Sequence, residues 1–328
     1  MRRGSSFLGC DVAIMGGAMT WVSERHLVAA ISNAGGFGVL ACGSMEPNRL
    51  TEEIGATRSL TDRPFGVNLI LLHPALEALI DRCCDAGVGY IVLAGGLPNR
   101  AILERCKKNG AKVMAFAPTA SAAKRLIRNG ADGLIIEGAE AGGHIGPVAT
   151  SVLAQEILPE IDEVPVFVAG GIGHGEAIAG YLSMGAAGVQ LGTRFVSATE
   201  CVAHPRFKET FIRAQARDAM PTVQLDPEFK VIPVRALVNQ GTDAFHAKQR
   251  EVIGQFRSGE MDYQTASLAI EHFWAGALRR AVIDGDVETG SLMAGQSVGF
   301  VKKEQPVREI IEELVAQTET ALTRSAKP

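Results

Sequence analysis

The chain has 328 residues, 47% hydrophobic and 21% charged, with a formal net charge of -4. That length supports one large α/β domain or two ordinary ones. The charge gives no reason to invoke nucleic acid or a membrane surface as the main partner, and no apolar run approaches the roughly 20 residues of a membrane span. Glycine is plentiful at 37 residues and aromatics are scarce at 5%, which suits tight βα turns better than a β-sandwich. The six cysteines form no CxxC pair and no Cys/His cluster with zinc spacing, so no metal site is expected and all six read as reduced thiols. The apolar stretch before Cys10 is too short for a secretory signal, and a cytoplasmic protein is expected.

In chain order, apolar runs fall at Val12–Met15, Gly38–Ala41, Val67–Leu72, Tyr90–Leu93, Val113–Phe116, Leu134–Ile136, Val166–Val168 and Gly188–Leu191. Most are rich in Val, Ile and Leu without polar alternation, as in strands buried on both faces. Helix-like segments such as Glu24–Asn33, Leu76–Cys83 and Ala120–Ile127 lie between them, and several end at glycine. Eight such units predict a (β/α)₈ TIM barrel over residues 1–199. An open dinucleotide sheet opens with G-x-G-x-x-G; here the first strand leads into Gly16-Gly17-Ala18-Met19, which lacks that spacing. Residues 200–285 turn polar and helix-like with no strong strand, which predicts a helical lid. Residues 286–328 return to the barrel and close with a helix near Val307–Ala321, whose Ile310, Ile311, Leu314 and Val315 share one apolar face.

The sixth run ends at Glu137, and a glycine-rich loop to Gly146 follows with His144 in its middle. A carboxylate, a flexible loop and an imidazole at a strand's C-terminal end is how a barrel presents chemistry. The seventh and eighth runs end in Val168-Ala-Gly-Gly-Ile-Gly173 and Gln190-Leu-Gly-Thr-Arg-Phe195. Backbone N–H groups at two neighbouring glycine turns predict one phosphate site, with Thr193 as a hydroxyl donor. Asn68 suits a heterocycle edge or a ribityl chain and equally a neighbouring backbone group. Glu140 reads as an orienter of His144 or a solvated loop acid. Arg194 reads as a phosphate counter-charge or one half of an ion pair. No predicted strand ends in Lys, which disfavours a Schiff-base aldolase.

The phrases Gly17-Ala-Met-Thr-Trp21, Leu60–Asn68, Glu137–Gly146, Ala169-Gly-Gly-Ile172, Gly192-Thr-Arg-Phe195 and Gly285–Gln296 together resemble the FMN-dependent nitronate monooxygenase (2-nitropropane dioxygenase) superfamily. They are most similar to its flavin-type enoyl-acyl-carrier-protein reductase branch, in unbroken order along nearly the whole chain. The resemblance implies FMN, with NAD(P)H as reductant. It places Gly17, Ala18 and Met19 near the flavin ring, and Asn68 and Glu137 on the ring or ribityl chain. Gly143, Gly170, Gly171, Gln190, Gly192 and Thr193 would bind the FMN or its phosphate. Met293, Gly295 and Gln296 would line the flavin's outer side, and His144 would face substrate as the catalytic residue. One departure stands out: the family often reads Gln-Gly-Gly-Met where this chain has Gly16-Gly17-Ala18-Met19.

The reaction so implied is reduction of an enoyl thioester, with His144 as proton or hydrogen-bond donor and an acyl carrier protein among the possible partners of a homodimer. Met261, Phe273 and Trp274 would shelter an acyl chain or serve as lid core. Nitronate oxidation with O₂ is the competing reading; a quinone-type flavin reductase and a non-catalytic flavin- or phosphate-binding barrel stand behind it.

Overall fold

The computed structural model describes residues 1–325. Eight parallel strands form the central sheet: β1 (Ile14–Gly16), β2 (Gly38–Ala41), β3 (Phe65–Ile70), β4 (Tyr90–Ala94), β5 (Lys112–Phe116), β6 (Gly133–Glu137) and, after the short β7 (Gly143–His144), β8 (Val166–Ala169) and β9 (Gly188–Leu191). Their order is β1-β9-β8-β6-β5-β4-β3-β2. A parallel bridge between Met15 and Phe37 joins β1 to β2 and closes the ring, giving a TIM barrel. Each of the eight apolar runs read from the sequence overlaps one of these strands.

Strand alternation decides what fills the barrel. Met15, Phe37, Val39, Val92, Met114, Ile135 and Phe167, drawn from six strands, form one buried cluster inside the ring. Alternate residues such as Val67, Leu69, Ile91 and Val113 pack outward against the helices. The helix Arg2–Leu8 closes the bottom. Its Leu8 is fully buried in the interior cluster, and the Phe7 carbonyl accepts from Tyr90 Oη at 2.9 Å and Lys112 Nζ at 2.8 Å, at the starts of β4 and β5.

The eighth strand meets its helix only after a long insertion. The closing helix Val307–Ser325 packs against the helices Gly175–Ser183 and Arg25–Asn33, completing the outer ring. Residues 200–285 are not all helix, as the sequence had suggested. They contain β10 (Ala219–Pro221) and β11 (Val234–Leu237), which join β7 in an antiparallel three-stranded sheet. β7 and β10 are too short to leave an apolar run, and Arg235 interrupts that of β11. The helix Pro205–Arg213 belongs to the barrel side, since Phe207 and Phe211 are buried in the barrel's outer core. The helices Gln240–Arg257 and Tyr263–Val282 form a lid with a separate core around Phe229, Val234, Phe245, Ile270 and Trp274. Among the described residues, no helix is long and apolar enough to cross a membrane.

Candidate active site

The upper end of the barrel interior is polar. Ile135 points inward, so Glu137, two residues on, does too. Gly66 and Gly188 face the interior rings of Phe37 and Phe167, so Asn68 and Gln190 also point in. Three polar side chains thus sit above an apolar plug, at the C-terminal ends of β3, β6 and β9. Asn68 Nδ2 donates one N–H to the Val92 carbonyl at 3.0 Å, leaving its second N–H and its Oδ1 without a partner among the described residues. The amide read from the sequence thus spends one of its two donors on a neighbouring backbone group, the second of the two roles expected for it. The Glu137 carboxyl has no hydrogen-bond or ion-pair partner among the described residues. Burial alone pushes it up to about 8.

Two turns flank this layer. Gly170 and Gly171 after β8 have φ of 94° and 72°, the left-handed region where a side chain is strained. The backbone N–H groups of Gly171, Ile172 and Gly173 donate to no protein acceptor among the described residues, nor do those of Gly192 and Thr193 after β9. Buried backbone N–H groups are in the great majority of cases paired or wet, so five free donors on adjacent turns mark a place for an anion. The helix that follows, Gly175–Ser183, is otherwise satisfied: Gln317 Oε1 takes the N–H of Gly175 and His174 Nδ1 that of Glu176. His174 is thus a helix cap.

The loop after β1 is fixed by a residue the sequence reading passed over. Ser23 Oγ donates to the Gly17 carbonyl at 2.8 Å and accepts from Met19 N–H at 3.0 Å. Gly17 N–H donates to the Leu191 carbonyl at 2.7 Å, and Met19 Sδ lies beside Gly192. Gly17, Ala18 and Met19 therefore border the β9 turn. Trp21, with φ of 68°, lies within cation–π range of Arg279 on the lid helix.

His144 lies on β7, paired opposite Val234 of β11. Its Nε2 is 3.2 Å from Glu271 Oε1 of the lid helix, and both side chains are about two-fifths exposed, at 41% and 39%. Glu271 carried no sequence signal because it is distant in the chain and surrounded by unremarkable helix. Arg235 stabilises the same junction, donating from Nε to the Ala139 carbonyl at 2.9 Å and from Nη1 to Ala219. The β6–β7 loop also touches residues 293–296. A Cβ on Gly142 would come within 2.6 Å of Gly295 N, and Met293 Sδ lies beside Gly143. Gly295 N–H donates to Thr193 Oγ1 at 2.9 Å, so this hydroxyl serves first as an acceptor. Gln296 N–H donates to the Glu140 carbonyl at 2.9 Å.

Glu140 is neither a solvated acid nor the orienter of His144. Its Oε2 accepts from both the N–H and the hydroxyl of Thr150, each at 2.8 Å. Arg194 is 3.0 Å from Glu313 Oε2 on the closing helix, the ion-pair alternative of the two. Trp274 is buried at 4% exposure and stacks on Phe245 with ring centroids 4.1 Å apart, a lid-core position.

A family model described as nitronate monooxygenase matches residues 3–82 and 75–317. The solved structure of FabK from Thermotoga maritima is 34% identical, covers 98% of this chain and 97% of its own, and superposes with a TM-score of 0.86. A nitroalkane oxidase from Streptomyces ansochromogenes is 27% identical over 98% of this chain and 100% of its own, with a TM-score of 0.79. A Mycobacterium tuberculosis protein, 30% identical over 97% of this chain and 96% of its own, is named (3aS,4S,5R,7aS)-5-hydroxy-7a-methyl-1-oxo-octahydro-1H-indene-4-carboxyl-CoA dehydrogenase.

Proposed function

This chain belongs to the nitronate monooxygenase family, and from that premise we propose that it is an FMN-dependent, NAD(P)H-using oxidoreductase that reduces enoyl thioesters. The observation that carries the proposal is the polar layer of Asn68, Glu137 and Gln190 beside five unused backbone N–H groups. This donor set fits FMN. The N–H groups of Gly171–Gly173, Gly192 and Thr193 would hold the phosphate. Asn68, Glu137 and Gln190 would meet the ribityl chain or ring edge, with Gly17, Ala18 and Met19 along one side and Met293, Gly295 and Gln296 along the outer one.

Bound flavin would supply two-electron chemistry, taking hydride from NAD(P)H and giving it to the thioester's β-carbon. The balance is enoyl thioester plus NAD(P)H plus a proton, giving the saturated thioester and NAD(P)⁺. Glu271 holds Nε2 of His144, which leaves Nδ1 to face substrate. From there the doubly protonated ring of His144 would give its Nδ1 proton or hydrogen bond as charge builds on the thioester oxygen, Nε2–H staying with Glu271. A thioester is supported by the Mycobacterium tuberculosis relative, whose name specifies a carboxyl-CoA, and by the likeness to FabK.

Nitronate oxidation is the second reading, supported by the nitroalkane oxidase neighbour. Steady-state turnover separates the two. The proposal expects NAD(P)H consumption that depends on a crotonyl thioester. Oxygen uptake with an alkyl nitronate and no NAD(P)H, with the thioester inert, would replace it with the second reading.

A further inference from the structure

One acid in this site holds three loops together. Thr150 opens the helix Thr150–Ile157, and Ala149 before it offers no side-chain cap. The Glu140 carboxylate takes that role from ten residues upstream, accepting the Thr150 N–H and hydroxyl on a single oxygen. The Thr150 hydroxyl has one proton and also lies 3.1 Å from the Gly170 carbonyl. The charged acceptor at 2.8 Å is the stronger claimant. The aliphatic part of Glu140 packs on the phosphate turn, where a Cβ on Gly171 would fall 2.9 Å from Glu140 Cβ. The backbone carbonyl of Glu140 receives Gln296 N–H, so the same residue reaches the segment beside Met293. Burial pulls the basicity of Arg235 down and the charge of Glu140 opposes that; the Arg235 guanidinium bonds the Ala139 carbonyl, next to Glu140 in the chain.

We propose that Glu140 is a positioning residue for the flavin phosphate: it braces the Gly170–Gly171 turn against Thr150 and the 293–296 segment, so that the turn's N–H groups hold one anion. The proposal rests on the FMN reading above. It concerns the acceptor geometry of Glu140, not its charge. A carboxylate near a phosphate repels it, so the negative charge is a cost that Arg235 offsets. Gln at this position keeps an oxygen that can accept both Thr150 donors and removes that repulsion.

The test is flavin affinity in the apoprotein, measured by quenching of flavin fluorescence with FMN and with riboflavin, which lacks the phosphate. The wild type should prefer FMN. Glu140→Ala should weaken FMN by about tenfold, the scale of one or two lost hydrogen bonds, and leave riboflavin within about twofold. Thr150→Val, which keeps the backbone N–H but loses the hydroxyl, should show a smaller loss of the same kind. Glu140→Gln should match or exceed the wild type in preference for FMN. An unchanged FMN-to-riboflavin ratio in Glu140→Ala overturns the proposal, as does a Gln variant as impaired as Ala. If the wild type binds neither flavin, the FMN reading itself falls, and that result is distinct from both.

Discussion

At the scale of single residues, Glu137 and His144 make opposite demands. Glu137 is part-buried and without a partner among the described residues, so desolvation favours its neutral form in the folded apoprotein and its proton is held up to about 8. In the unfolded chain it ionises in the ordinary carboxylate range. Between those values the folded state binds more protons, so stability from this group is full in acid and is lost as pH rises through about 8. The apoprotein's melting temperature should therefore fall on going from pH 5 toward pH 8, and Glu137→Gln should flatten that slope. Parallel slopes in the two proteins would show that Glu137 ionises normally. His144 is exposed and braced by a lid carboxylate at 3.2 Å, a pair worth little to stability. His144→Ala should keep flavin and melting temperature yet lose turnover by about 10²–10⁴-fold, the usual weight of a general acid. Comparable turnover in the variant would remove His144 from the chemistry. The acid-loop-His pattern was visible in sequence because its glycines and imidazole are close together. Glu271 and Arg235 were not, since they lie 127 and 96 residues from the groups they hold.

Among the elements, the barrel strands were legible and the lid sheet was not. Strands such as Val166–Ala169, buried at every position, leave an unbroken apolar run. β7 has two residues, and β10 has one buried position of three, so neither has a period to detect. Glycine turns were legible as turns, but their neighbours were not: Glu140 looked solvated because nothing local reveals Thr150 across the loop. Gly171→Ala tests the turn as a unit. Its positive φ and the crowded Glu140 Cβ should cost about 1–2 kcal/mol in stability, and FMN affinity should fall in parallel. Retention of both would mean that the turn relaxes freely. The lid carries its own core, separate from those of the barrel. Phe245→Ala removes the ring stacked on Trp274 and should cost the lid about 3–5 kcal/mol. Limited proteolysis should then nick residues 225–275 while the barrel persists. Simultaneous loss of both would show that lid and barrel fold as one unit.

For the whole molecule, the insertion between β9 and its helix is the decisive construction. It brings a lid sheet back onto the β6–β7 loop, so His144 is held by barrel and lid together. The bottom is sealed by the Arg2–Leu8 helix, so the polar opening lies at the other end, where Asn68, Glu137, Gln190 and the two glycine turns meet. The order of the runs made this architecture readable, while the closure of the ring and the path of the lid depend on contacts between distant segments. The central claim is that this mouth moves hydride from NAD(P)H to an enoyl thioester through flavin. The most direct measurement is the visible spectrum of the FMN-loaded protein under anaerobic conditions, first with NAD(P)H and then with a crotonyl thioester. The account predicts that NAD(P)H bleaches the yellow colour and that the thioester restores it, stoichiometrically and without oxygen. A flavin that NAD(P)H leaves yellow, or that stays bleached until oxygen is admitted, would contradict it.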